Sequence, residues 1–175
     1  MVKVREVTTE EDYQACLKIR RQVFIEGQQV PEEIEIDAYE KQAVHFLAFY
    51  EDKPVATGRF RIKKGFLKFE RIATLPEFRG KGIARALMLE MQKVGTERYP
   101  NYLPAMHAQA EVIPFYEKLG WVVVGERFVE ADIQHQAMVL LPPNLSQLKC
   151  LAHPETPKPI LDFLKRKMRE QSERR

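Results

Sequence analysis

One segment limits the possible folds more than any other: Phe69-Glu-Arg-Ile-Ala-Thr-Leu-Pro-Glu-Phe-Arg-Gly-Lys-Gly-Ile-Ala84. An apolar strand pattern runs up to Thr74, Pro76 breaks it, and Arg79-Gly-Lys-Gly82 leads into a helical period through Ile83, Leu87, Met91 and Val94. Strand, glycine turn, helix is an arrangement suited to holding an anion. The N–H groups of a helix start lack intrahelical partners, and the helix dipole adds about half a positive charge there. Gly80 and Gly82 remove Cβ atoms from the approach, and Arg79 and Lys81 add charge at the rim. The spacing excludes a Walker loop, which needs Gly-x-x-x-x-Gly-Lys-Ser/Thr. A Rossmann fingerprint is also excluded, because this Gly-x-Gly does not join the first strand to the first helix.

The rest of the chain supplies a sheet for that segment to sit in. Val2 to Val7 alternates as a first strand, and Thr8 with Glu11 fits a capping box that opens a helix at about 10–26, ended by Gly27. Gln28 to Gln42 is acidic and aperiodic, and reads as a long loop with a short helical piece. Strands at Val44–Tyr50, Pro54–Ile62 and Phe66–Thr74 follow one another through two turns. Beyond the 83–98 helix come a loop at 100–104, a strand from Met106, a short helix at 113–119 and strands at 121–128 and 133–141. Strands mixed with crossover helices predict an α/β or α+β domain on one sheet of mixed direction.

Residues 1–141 therefore read as one domain. Residues 142–175 read as a proline-containing tether, with Pro142, Pro143, Pro154, Pro157 and Pro159, followed by a basic amphipathic helix at about 160–171. The whole chain has 175 residues and a net charge of +3, too balanced to imply nucleic acid. Much of the positive charge is in the tail, where Lys158, Lys165, Arg166, Lys167, Arg169, Arg174 and Arg175 outnumber Asp162, Glu170 and Glu173. Two cysteines, Cys16 and Cys150, exclude a disulfide scaffold and a four-cysteine zinc site, so no metal is expected. The start has no apolar run like a signal peptide, and no stretch approaches the roughly 18 apolar residues of a membrane span, so the cytoplasm is the expected location.

Arg79-x-x-Gly82-x-Ala84 resembles the acyl-coenzyme A signature of the GNAT superfamily of N-acetyltransferases, and Phe115-Tyr-Glu-Lys-Leu-Gly-Trp121 resembles its second motif. Ile19-Arg-Arg-Gln-Val-Phe-Ile-Glu26-Gly-Gln28, His107-Ala-Gln-Ala and Glu130-Ala-Asp-Ile-Gln-His135 resemble the small bacterial ElaA/YjcF-like branch, from which Gly27 and Asp132-Ile depart slightly. The resemblance implies a mostly antiparallel sheet of about seven strands flanked by helices. It further implies acetyl-coenzyme A as cosubstrate and a primary amine as acceptor, attacked directly in a ternary complex. Carried over, Ile72, Ala73 and Thr74 would pair with pantetheine through the main chain, and Arg79, Gly80, Lys81, Gly82, Ile83 and Ala84 would hold the pyrophosphate. Tyr116 would protonate the leaving thiolate.

Glu70, on the same face of its strand as Ile72, is the candidate base through water; the other reading is an ordinary ion-paired strand carboxylate. Glu26, Gln28 and His135 are candidate acceptor contacts, and each also has a plain structural reading. The carboxylates from Glu32 to Glu40 would face the acceptor and favour a cationic amine. Members of this family often pair through late strands, which admits a homodimer. Two other readings stay open: an acyl-homoserine-lactone synthase-like acyltransferase, and an acyl-coenzyme A-binding module without catalysis.

Overall fold

The computed structural model describes residues 1–174, and of Glu33 and Ile34 the backbone. Seven strands pair in the order β1-β2-β3-β4-β5-β7-β6. They are β1 Val2–Glu6, β2 Val44–Tyr50, β3 Lys53–Lys63, β4 Phe66–Thr74, β5 Leu103–Gln109, β6 Val122–Glu130 and β7 Ile133–Val139. The helices are α1 Glu10–Arg20, α2 Glu32–Glu35, α3 Ile83–Arg98, α4 Ile113–Glu117 and α5 Lys158–Glu173. This is the expected mixed, mostly antiparallel sheet with flanking helices and a C-terminal helix. Among the described residues no helix is long and apolar enough to cross a membrane.

Contacts divide the chain into two units, one of Met1–Arg61 with Phe69–Gly95 and one of Ile62–Lys68 with Thr96–Arg175. In the first, β1 and β2 run antiparallel from Val2↔Tyr50 to Glu6↔Phe46. The interior of β3, from Val55 to Arg61, is buried on both faces. Phe60 sits between Phe46 and Phe69, with ring centroids 5.4 and 5.5 Å away. α3 turns Ile83, Leu87, Met88 and Met91 into the same core. Its close approach to β3 depends on Gly58, where a Cβ would lie 2.7 Å from Met91 Sδ.

Two local differences from the sequence expectation arise here. The N-cap of α1 is Thr9 rather than Thr8, with its hydroxyl accepting from the Asp12 N–H at 3.1 Å. Asp12 does not complete a capping box, because its carboxylate accepts two hydrogen bonds from Arg5 at 2.9 Å. The helix does run to Glu26, but its last turns, Arg21–Glu26, are π-helical. Gly27 donates to the Gln22 carbonyl at 2.9 Å, one residue wider than an α-turn.

In the second unit, β4 begins parallel to β5, with Phe66, Leu67 and Lys68 opposite Leu103, Pro104 and Ala105. The strand therefore starts three residues before the expected Met106, and takes in Pro104. β5, β7 and β6 continue antiparallel. Ala131 and Asp132 make the β6–β7 turn with φ of 52° and 61°. The region after Pro142 is not a loose tether. Leu145, Leu148 and Cys150 are buried with Phe66, Leu103, Val124 and Val139, and α5 adds Ile160 and Leu164 to that core. α5 starts two residues earlier than expected because Pro159 fits the first helical turn. Of the tail's basic residues, Arg175 lies outside the described residues.

Candidate active site

The glycine turn is built as an open cradle. After Thr74 the Leu75 N–H returns to the Val55 carbonyl at 2.9 Å, and a short 3-10 turn over Pro76–Phe78 redirects the chain. Gly80 and Gly82 have φ of +79° and +77°, in the left-handed region where L side chains are strained. A Cβ built on either meets nothing within 4 Å, so the space in front of the turn is open. The requirement for glycine is therefore conformational first, which goes beyond the sequence-based reason of clearing an approach. Ile83 is buried and anchors the helix start, while Arg79, Gly80, Lys81 and Gly82 are exposed. The Ala86 N–H closes the first helical turn on the Gly82 carbonyl at 3.1 Å, and by helix geometry the N–H groups of Ile83, Ala84 and Arg85 point ahead of it. Arg79 donates to the Thr74 carbonyl at 3.3 Å, and the Lys81 ammonium lies 5.5 Å from the Tyr50 ring centroid.

β4 carries Glu70 and Ile72–Thr74 into that turn. Its parallel register with β5 covers Phe66–Lys68, and Ile72–Thr74 lie beyond it. Between Glu70 and Ile72 the backbone leaves the extended conformation: Arg71 has φ of +58°. An arginine in that region inside a strand is a local distortion that re-aims the residues next to it.

Around Glu70 and Arg71 the structure assembles a group that sequence reading missed. Arg59, fully buried, binds Glu70 at 2.6 Å, Asp37 at 2.8 Å and Glu40 at 2.6 Å. Arg61 binds Glu70 at 3.1 Å and lies 3.8 Å from the Tyr39 ring centroid. Arg20, also buried, binds Glu35 at 2.5 Å and Glu40 at 2.7 Å. Arg71 reaches the Glu35 carboxylate at 3.0 Å and Asp37 at 3.0 Å. Glu32 pairs with Arg21 at 2.7 Å, and the Glu33 side chain lies outside the described residues.

Glu35, Asp37 and Glu40 of the acidic run are thus paired with arginines. Glu35 and Glu40 are interior partners of arginines, because an ionised carboxylate taken out of water must be paired. Burial raises the Glu35 pKa against the pull of Arg20 and Arg71. For Asp37 and Glu40 burial acts the same way, but the hydrogen bonds and charge of Arg59 and Arg20 outweigh it; Asp37 falls to about 2, and Glu40 also falls below its usual value. His45 is held below its ordinary value by burial, and its Nε2–H donates to the Glu40 carbonyl at 2.8 Å. The alternation of Arg59 and Arg61 inside an otherwise apolar strand was the available signal, since charges at i and i+2 share a strand face.

Tyr116 and His135 belong to the second unit. Tyr116 is buried on α4 beside Phe115, with ring centroids 5.2 Å apart, and burial raises its phenol above the ordinary value. Its carbonyl accepts from the Leu119 and Trp121 N–H groups at 2.9 and 3.2 Å, which ties the helix end to the buried Trp121. His135 is buried on β7, opposite Gln109 of β5 and Phe128 of β6. Its Nδ1 bonds the Ile133 carbonyl at 2.7 Å, so Nδ1 carries the hydrogen and, in the neutral ring, Nε2 carries the lone pair. Phe128 stacks on it at 5.9 Å. His107, read as hydrogen-bonded, has its Nδ1 3.1 Å from Glu130. Glu26 and Gln28 are exposed at the end of the π-helical turns. Cys16 is a small buried group whose thiol burial pushes up to about 11, and Cys150 is likewise buried and raised to about 11.

This geometry matches known proteins. The family described as acetyltransferase (GNAT) domain matches residues 7–142. The uncharacterized protein YyaT of Bacillus subtilis strain 168 is 36% identical over 141 residues, covering 78% of this chain and 94% of that protein. The uncharacterized N-acetyltransferase YjcF of the same organism is 34% identical over 131 residues, covering 74% and 93%. Escherichia coli ElaA has the same fold, with a TM-score of 0.72 at 22% identity over 81% of this chain and all of its own. The chain belongs to the GNAT acetyltransferase family, with YjcF among its relatives, and is an acyltransferase.

Proposed function

We propose that the protein transfers an acetyl group from acetyl-coenzyme A to a primary amine of a small molecule or peptide by direct attack in a ternary complex. The observation that carries this reading is the open turn at Gly80 and Gly82, both left-handed, at the start of α3. GNAT enzymes use acetyl-coenzyme A, and its pyrophosphate suits the exposed N–H groups and charges of Arg79–Ala84. The pantetheine arm would pair with the main chain of Ile72–Thr74, and the N–H near Ala73 would polarise the thioester carbonyl.

In this reading the amine nitrogen attacks the carbonyl carbon, the C–S bond breaks, and the thiolate takes a proton from Tyr116. A phenol whose pKa is raised by burial stays protonated at neutral pH and is available as that acid. The amine gives up its proton through water to Glu70, whose carboxylate is paired with Arg59 and Arg61, with His135 Nε2 as the second acceptor. Glu26 and Gln28 line the acceptor side. Because arginines balance the loop carboxylates, discrimination by acceptor charge is expected to be weaker than a bare acidic loop would give.

The test follows free thiol release from acetyl-coenzyme A across amines of both charges. Tyr116→Phe is expected to lower kcat by about 10² to 10⁴ with little change in the acetyl-coenzyme A KM. Coenzyme binding without turnover on a broad panel, with Tyr116→Phe no different, supports a binding module instead.

A further inference from the structure

We infer that Asp37 and Glu35 are positioning residues for the acyl-coenzyme A strand: they clamp Arg71 in its left-handed conformation and so set the path of β4 into Ile72–Thr74. This rests on the placement of the acyl-coenzyme A arm along Ile72–Thr74 proposed above. Arg71 has φ of +58° in the middle of a strand, directly before the first of those residues. A non-glycine residue keeps that conformation only where its surroundings hold it. Here the surroundings are specific. The guanidinium Nε donates to the Glu35 main-chain carbonyl at 3.0 Å and lies 3.0 Å from its carboxylate, while Nη2 donates to Asp37 Oδ2 at 3.0 Å.

Those partners are themselves fixed. Arg59 grips Asp37 by two hydrogen bonds, at 3.1 and 2.8 Å, and Arg20 donates to the Glu35 carboxylate and carbonyl at 2.5 and 2.7 Å. The Asp37 carboxylate also accepts from the Tyr39 N–H at 3.0 Å, which closes the loop's own turn. A charge-assisted clamp with buried anchors is stiff. The segment between α1 and β2 thus acts on a strand 34 residues further along the chain.

The experiment separates the guanidinium's charge from the backbone conformation it enforces. Arg71→Ala and Arg71→Gly remove the same charge and the same hydrogen bonds, but only glycine takes φ of +58° freely. Coenzyme A affinity is measured by calorimetry on the full chain, with thermal unfolding followed in parallel. Arg71→Ala is expected to weaken binding by about tenfold, since small misplacements at such sites are costly. Arg71→Gly should stay within about threefold of the native value, the loss reflecting glycine's extra freedom. Asp37→Ala leaves β4 unaltered in sequence and should weaken binding about as much as Arg71→Ala; adding Arg71→Gly to it should restore binding. In kinetics the loss should fall on the KM for acetyl-coenzyme A and not on that for the amine. Native binding with Arg71→Ala and Arg71→Gly equally weak, or both native-like, overturns the inference alone. An Asp37→Ala protein with native affinity overturns it without reference to any change in β4. No coenzyme A binding by the native protein overturns the site reading and this inference together.

Discussion

Asp37 shows what a single carboxylate does here. Burial opposes its ionisation, but hydrogen bonds and charge from Arg59 win and hold its pKa at about 2, below the ordinary 3.8. A carboxylate depressed in the folded state binds a proton less readily than in the unfolded chain. Its contribution is therefore present above its ordinary value and is lost as pH falls through about 2. For this group that amounts to about 2 kcal/mol of stability. Asp37→Asn should flatten the fall in the urea midpoint between about pH 5 and pH 2; equal slopes for the two proteins would contradict this assignment. In the sequence only the alternation of Arg59 and Arg61 hinted at this pairing, and it named no partners. The acidic residues from Glu32 to Glu40 are visible as a run, but the guanidiniums that neutralise Asp37 stand 22 and 34 residues away. A run of carboxylates looks solvated until its partners are known.

Elements were legible where periodicity and chain punctuation agree. β4 and α3 have the expected bounds, because an apolar strand, a Pro-Glu-Phe-Arg-Gly-Lys-Gly break and a 3.6-residue period mark both ends. The widened turns of Arg21–Glu26 left no such mark, since a π-turn changes hydrogen bonding without changing residue type. The β3–β4 turn carries a constraint that its Lys-Lys-Gly sequence does not reveal. Gly65 has φ of +87°, and a Cβ there would lie 2.6 Å from the Cys150 backbone nitrogen. Main chain cannot rotate aside as a side chain can. Gly65→Ala should therefore destabilise the protein by at least about 1–3 kcal/mol in denaturant unfolding. An unchanged midpoint would show that the contact with residues 149–150 is not tight.

For the whole molecule, composition misled in one region and the motifs guided well in another. Prolines at 142, 143, 154, 157 and 159 marked the tail as irregular, and it is, but irregular backbone still packs. Leu145, Leu148, Cys150, Ile160 and Leu164 fill a core with residues of β4, β5, β6 and β7, so the tail helix docks on its own chain. The family was legible because its motif is local: strand, glycine turn and helix start lie within residues 66–98. The acceptor was not, because the residues proposed to line its site, Glu26, Gln28 and His135, lie far apart in sequence. The proposed activity requires above all that the left-handed turn bind acetyl-coenzyme A. Calorimetric titration of acetyl-coenzyme A into the native protein and into Gly82→Ala tests it most directly. That substitution keeps every charge and meets no neighbour within 4 Å, but strains a backbone at φ of +77°. Native binding in the range of about 1 μM to 1 mM, weakened by about tenfold or more in Gly82→Ala, is the predicted result. Absence of native binding, or equal affinity for the two proteins, would contradict it.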